Sequence, residues 1–193
     1  VISRGYGGDE SLMPQVVTVQ SKPEEVGDEP CLIVRETGAM VAVCPNRQQA
    51  IEALLQQQPD TQLIIADDGL QHYKLQRDIE WVVVDSARGF GNKQLLPTGF
   101  LREPISRLHE TTVIYHQRTE SSNDSEKDNK DRLCMHLQPA SLKPLIEGQP
   151  SLGEIKGVYA VSGIGYPQRF FNTLTDLGYD IEQRPKPDHH NFS

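Results

Sequence analysis

The sequence is poor in cysteine, in aromatic residues and in positive charge, and it contains no long apolar run. Its three cysteines, Cys31, Cys44 and Cys134, stand far apart with no Cys-x-x-Cys pair. Such an odd, scattered set reads as reduced thiols of a cytoplasmic protein rather than as a disulfide framework. Lysine and arginine number 19 against 27 acids, a formal charge of −8. That balance argues against a nucleic-acid-binding surface, because phosphate neutralisation needs clustered basic side chains. No apolar stretch approaches the ~20 residues of a membrane span. Also missing is Gly-x-x-x-x-Gly-Lys-[Ser/Thr], the loop that cradles nucleotide phosphates in Walker-type phosphoryl-transfer enzymes. Its absence either rejects that class or means that the front of the protein lies outside this sequence.

What is present is a globular chain of 193 residues, 36% hydrophobic, with 15 Gly and 13 Pro. The length suits one ample α/β domain, or one domain with a small appendage. Val1 to Gly8 (VISRGYGG) reads as the end of a strand entering a glycine-rich loop. A domain rarely opens half-way through such a unit, so the expectation is a piece of a longer protein.

Short apolar runs alternate with helical stretches. Val16 to Val19 is β-branched and predicts a strand. A helix is expected from Asp28, with Asp28 as N-cap, Pro30 in the first turn and Gly38 closing it. Met40 to Val43 is again strand-like, and Asn46 is placed to cap a helix carrying Ala50, Ile51, Leu54 and Leu55 on one face. Leu63 to Ala66 runs without alternation into Asp67-Asp68, the pattern of a parallel strand buried on both faces, and Trp81 to Asp85 repeats it. Thr111 to Tyr115 and Val158 to Val161 are further strands, the second followed by a helix from about Pro167 to Leu177. The alternation predicts a mainly parallel α/β sheet flanked by helices. Residues 119–132 hold no apolar side chain and mix acids with bases, as a solvated loop does.

Four places carry chemistry-bearing residues. Asp67-Asp68-Gly69-Leu70-Gln71-His72 follows the buried strand, where open α/β sheets bind ligands. Adjacent carboxylates there are unfavourable unless a cation or hydrogen bonds hold them, and a strand ending in Asp is the Walker-B arrangement for Mg²⁺. The plainer reading has Asp67 capping the next turn and Asp68 facing solvent. Asp28 could simply cap its helix, or accept a proton from an attacking hydroxyl. In Leu96 to Pro104, Arg102 could reach a phosphate and Glu103 a metal, with a surface ion pair as the alternative. Of Asp188-His189-His190, one histidine could ligate a metal, act as a base or tune a carboxylate. Gly163-x-Gly165 lacks the third glycine of a dinucleotide fingerprint and reads as a tight strand-to-helix turn.

These segments, in this order, resemble the tetraacyldisaccharide 4'-kinase family. The residues that carry the resemblance are Val1 to Gly8, Gly27 to Pro30 (GDEP), Asp67 to His72 (DDGLQH), Asp78 to Gly91 (DIEWVVVDSARGFG), Leu95 to Pro104 (LLPTGFLREP), Gly163 to Phe171 (GIGYPQRFF) and Pro187 to Phe192 (PDHHNF). The resemblance implies a P-loop NTPase-like kinase with a smaller second lobe, truncated here. It implies a core over residues 1–118 lacking its first strand, P-loop and helix, a polar loop at 119–132, and the rest of the core with the start of the second lobe at 133–193. The implied reaction moves the γ-phosphoryl of ATP to the 4'-hydroxyl of a tetraacyldisaccharide 1-phosphate, giving lipid IVA at the cytoplasmic face of the bacterial inner membrane.

Carried over by position, Asp28 matches the catalytic base, assisted by His189 or His190. Asp67 and Asp68 match the Walker-B acids beside ATP and Mg²⁺. Glu103 matches a further metal-side carboxylate, and Arg102 would face phosphate charge. The implied partners are the acylated glucosamine disaccharide 1-phosphate and the inner-membrane lipid surface, with no nucleic acid. Two rival readings remain: a metal-dependent phosphoesterase using Asp67, Asp68, His72 and the Asp-His-His triplet, and an inactive fragment.

Overall fold

The structure, a computed structural model, describes residues 1–117, 133–144, 157–188 and 190. The polar stretch 119–132 and His189 therefore lie outside the described residues. Two compact units divide the chain: Val1–Val84 with Arg88–Ile114, and Asp85–Ala87 with Tyr115–Ser193.

The first unit opens with β1 (Ile2–Ser3), β2 (Gln15–Val17), the short helix α1 (Pro23–Val26), α2 (Asp28–Thr37), β3 (Val41–Val43) and α3 (Arg47–Gln57). β3 lies between β1, to which it is parallel, and β2, to which it is antiparallel. Strand alternation sends its side chains to opposite faces. Val41 and Val43 join Val17, Val26, Cys31 and Val34 in one buried cluster, whereas Ala42 joins Ile2, Cys44, Ala50 and Leu54 in the other. α2 thus covers one face of the sheet and α3 the other. This three-layer packing is what the alternation of strands and helices predicts.

The helix ends follow their local chemistry. Asn46 Oδ1 accepts from the Gln48 amide at 3.1 Å and caps α3. Gly38 closes α2 in the left-handed region at φ 66°, which a residue with a Cβ rarely adopts. At the start of α2 the expectation is corrected: Gly27, not Asp28, is the N-cap, and Asp28 is the first helical residue. The reason is a close approach. Gly27 sits at φ 93°, and a Cβ there would lie 2.6 Å from the Tyr6 carbonyl oxygen, so only glycine fits the junction.

Ala66 forms a parallel bridge with Ile2, so the stretch ending in Asp67 runs beside β1. The expected strand over residues 63–66 is therefore only an isolated bridge at Ala66, and its burial differs from the expectation too. Ile64 and Ala66 pack on the α3-side cluster, but Leu63 is 74% and Ile65 58% exposed. One face is covered and the other is not. β4 (Trp81–Asp85) shows the same asymmetry, with Val84 buried and Trp81 and Val83 exposed. β4 belongs to a sheet of order β4–β5–β6 with β5 (Thr112–Gln117) and β6 (Leu133–His136).

In the second unit, β7 (Gly157–Ser162), α4 (Pro167–Asp176) and β8 (Asp180–Pro185) form a βαβ unit whose strands pair in parallel from Gly157↔Asp180 to Ser162↔Pro185. Phe171 of α4 is buried, as are Ala160 and Ser162. Among the described residues no helix is long and apolar enough to cross a membrane. Cys31 and Cys44 are buried free thiols, and Cys134 is an exposed one.

Candidate active site

β1 leads to two of the singled-out acids. The Ile2 amide donates to Ile65 O at 2.8 Å, and the Ile2 carbonyl accepts from the Asp67 amide at 2.9 Å. This register places Asp67 at the carboxyl end of a parallel pair, the end at which α/β sheets bind ligands. There the buried Ser3 donates from Oγ to Asp67 Oδ2 at 3.1 Å. Behind it, Arg47 donates to the Asp67 carbonyl at 3.1 Å and to the Cys44 carbonyl at 3.2 Å. Asp67 is half-buried and Asp68 exposed. Asp68 adopts φ 48°, a left-handed conformation that turns the chain out of the strand, and Asp is among the residues that tolerate it.

The loop after Ser3 reaches the second acid. A Cβ on Gly8 would lie 2.7 Å from the Glu25 carbonyl oxygen, and Gly27 packs on Gly5 and Tyr6. Two backbone segments therefore run in contact, and the contact delivers the chain into α2 at Asp28. That side chain is exposed at the positive end of the helix, its Oδ1 accepting from the Glu29 amide at 3.0 Å.

A polar chain joins the LREP segment to the DDGLQH turn. Gln71 Nε2 donates to Glu103 Oε1 at 2.9 Å. Glu103 faces Arg107 at 3.5 Å, Arg107 pairs with Glu80, and Glu80 pairs with Arg77. Arg77 returns to the turn by donating to the carbonyls of Leu70 and His72, at 3.1 and 2.8 Å. The Tyr73 hydroxyl is pushed above its ordinary value by desolvation and by its hydrogen bond to Glu103. The His72 imidazole is held below its ordinary value by desolvation and then by Arg47, Arg4 and Arg77. Arg102 is exposed and, with Gln71, Phe100 and Glu103, lines a cavity of about 300 Å³.

In the second unit the Asp-His-His segment meets the glycine turn. A Cβ on Gly165 would lie 3.1 Å from Asp188 Oδ2. Lys186 donates its amide to Ser162 O at 2.7 Å, and His190 donates its own to Pro187 O at 3.2 Å.

Of the residues singled out in the sequence, Asp67 and Asp68 therefore adjoin Ser3, and Glu103 is tied to Gln71 of the same turn. Asp28 follows Gly27, which packs on Gly5 and Tyr6 of the loop after Ser3. His190 is anchored within its own unit. Sequence reasoning missed Ser3, Arg47 and Arg107 as supporting residues. The available signal for the first two is position: Ser3 ends β1, and Arg47 follows the short connection after β3.

The acid pair suits a hard divalent cation such as Mg²⁺, since carboxylate oxygens are its preferred protein ligands. Ser3 holds one of those oxygens in place, which fits an oriented ligand better than a freely rotating surface acid. Glu103 already receives Gln71 and faces Arg107. Among the described residues no three His, Cys, Asp or Glu side chains gather as a metal-holding group.

The family model described as tetraacyldisaccharide-1-P 4'-kinase matches residues 1–193. The chain belongs to this family. Curated relatives named tetraacyldisaccharide 4'-kinase agree across its whole length: 59% identity to the Psychrobacter arcticus protein, 60% to that of Psychrobacter cryohalolentis and 47% to that of Pasteurella multocida. The chain spans 54%, 56% and 58% of those kinases, about half of each. No solved structure matches it. In this chain the acids after the Ala66 bridge, the GDEP helix start and the LREP segment all lie on one unit. Nothing among these findings favours the metal-dependent phosphoesterase reading.

Proposed function

We propose that the protein containing this chain is an ATP-dependent lipid kinase that phosphorylates the 4'-hydroxyl of a tetraacyldisaccharide 1-phosphate, giving lipid IVA in lipid A biosynthesis. The observation that carries the reading is the match of the 4'-kinase family over residues 1–193. The Ser3-oriented acid at the carboxyl end of a parallel pair supports it. The reading includes a P-loop NTPase-like core over residues 1–118, a connecting loop at 119–132, and the remaining core with the start of a smaller second lobe at 133–193. It places the reaction at the cytoplasmic face of the inner membrane.

Asp28 would accept the proton of the attacking 4'-hydroxyl. Its exposure in the first turn of α2 leaves the carboxylate accessible. His189 or His190 would assist it. Asp67 and Asp68, with Glu103 beside Gln71, would hold Mg²⁺, which when bound to ATP withdraws charge from the phosphates. Arg102, exposed on the rim of the cavity, would neutralise phosphate charge. Most of the rate enhancement would come from positioning and charge neutralisation, since phosphoryl transfer asks for little covalent chemistry from the protein.

The test is steady-state kinetics of Asp28→Asn in the intact enzyme. Loss of a general base predicts a fall in kcat of about 10²-fold or more, with ATP affinity within a few-fold of wild type. A parallel loss of kcat and ATP affinity would remove Asp28 from the role of base.

A further inference from the structure

Arg47 is a charged side chain in the wrong place for a surface helix start. It is the first residue of α3, yet it is only 4% exposed. Its two terminal nitrogens reach the carbonyls of Cys44 and Asp67, and its Nε is buried with no hydrogen-bond partner. Among the described residues it makes no ion pair. Burial holds the guanidinium below its ordinary value, the Asp67 and Asp68 charges offset only part of that, and one donor is left orphaned, so the burial is unfavourable by itself. An apolar side chain of similar volume at such a position is often neutral or stabilising. The arrangement is explained if the two carbonyls matter for what they carry: Cys44 directly follows β3, and Asp67 begins the acid pair.

We propose that Arg47 is a positioning residue that, together with Ser3, clamps Asp67 at two points and so aims the Asp67–Asp68 pair. Ser3 holds the carboxylate and Arg47 holds the backbone carbonyl of the same residue. With both points fixed, the left-handed turn at Asp68 has one direction in which to leave the strand. The clamp also ties the acid turn to both parallel strands, to β1 through Ser3 and to the end of β3 through Cys44. What the acids bind rests on the kinase reading, whereas the clamp itself does not.

The experiment is residue-resolved amide hydrogen exchange on the intact protein, wild type against Arg47→Met and Arg47→Lys. The amides of Asp67 and His72 are hydrogen bonded, to Ile2 O and Gly69 O, and report on the turn. Those of Ala50 and Gln58 are bonded within and at the end of α3 and serve as controls. The clamp predicts exchange about tenfold faster at Asp67 and His72 in Arg47→Met, the scale of one lost hydrogen bond to a charged group. The lysine, with one ammonium for two carbonyls, should show a smaller increase, and Ala50 and Gln58 should stay unchanged in both variants. Unchanged exchange at Asp67 and His72 would overturn the proposal. So would acceleration at all four amides alike in both variants, or failure of both to fold, since either makes Arg47 a general core residue.

A second arm measures Mn²⁺ binding by electron paramagnetic resonance. Weaker binding by at least about tenfold in a folded Arg47→Lys protein, with its melting temperature kept, supports the clamp as the device that aims the acids. Unchanged Mn²⁺ affinity in that variant would overturn that use of it. Absence of Mn²⁺ binding in the wild type would count against the kinase reading, and the exchange result would still decide the clamp.

Discussion

Gly27 shows how a single residue can place a catalytic candidate without touching substrate. Its φ of 93° and its approach to the Tyr6 carbonyl are both closed to a residue with a Cβ. Gly27→Ala should therefore destabilise the protein by about 1–3 kcal/mol and displace Asp28. Chemical denaturation would measure the first effect, and a fall in kcat larger than that of a distant variant of equal stability the second. An alanine variant with wild-type stability would show that the junction relaxes easily. The GDEP segment was legible as a helix start because Asp, Pro and Gly mark such places. The identity of the cap was not, since it depends on Gly5 and Tyr6, twenty residues away in sequence and adjacent only in the fold. Arg47 was illegible for the same reason: an arginine at the start of a helix looks solvated until the strands around it bury it.

At the same scale, His116 gives a pH dependence. It is buried beside Arg169, and desolvation first, then the Arg169 charge, holds its imidazole below the ordinary value of 6.5. The folded state therefore favours the neutral ring. Between the folded pKa and 6.5 the unfolded chain binds more protons, so stability rises with pH across that window and is lost as pH falls through it. His72 shifts in the same direction. Melting temperatures should drop as pH is lowered below about 6.5, and His116→Gln should flatten part of that drop. A profile identical to wild type would remove His116 from the effect.

Among the elements, the turn after Asp67 depends on side chains beyond its own motif. Glu80 is flanked by Arg77 and Arg107, its side chain only 10% exposed. Arg77 holds the turn carbonyls, and Arg107 faces Glu103. Glu80→Gln removes the carboxylate facing Arg77 and one of the carboxylates facing Arg107, which keeps Glu103 and Glu110, and should cost about 1–3 kcal/mol. It should also weaken substrate turnover, because the turn and the LREP segment are held through that pair. Thermal melts and kinetics read together would check this, and unchanged values in both would dissolve the link. The strands and helices of this unit were largely readable from apolar period and capping residues, as at Asn46 and Gly38. The burial of Leu63, Ile65, Trp81 and Val83 was not. An unbroken apolar run favours extended chain, but whether it pairs as a full strand, as at Trp81–Asp85, or only bridges, as at Ala66, and which face is covered depend on what packs against it.

For the molecule as a whole, the site divides between two kinds of information. Asp28, Asp67, Asp68, Arg102 and Glu103 sit in motifs whose order alone pointed to the 4'-kinases, and the family match bears out that membership. Ser3, Arg47 and Arg107 became visible only when the chain was folded, because contacts between distant segments define their roles. The acidic balance of the chain leaves positive charge scarce. It is therefore informative that Arg4, Arg47 and Arg77 all act on His72 beside the acid pair. The measurement that tests the central proposal most directly is phosphoryl transfer by the intact protein from γ-labelled ATP to a tetraacyldisaccharide 1-phosphate, with the position of the new phosphate read by NMR. The predicted result is label on the 4'-oxygen, dependent on Mg²⁺ and abolished in Asp67→Asn with Asp68→Asn. Label on another oxygen, transfer that survives loss of both acids, or release of inorganic phosphate without lipid product would contradict it.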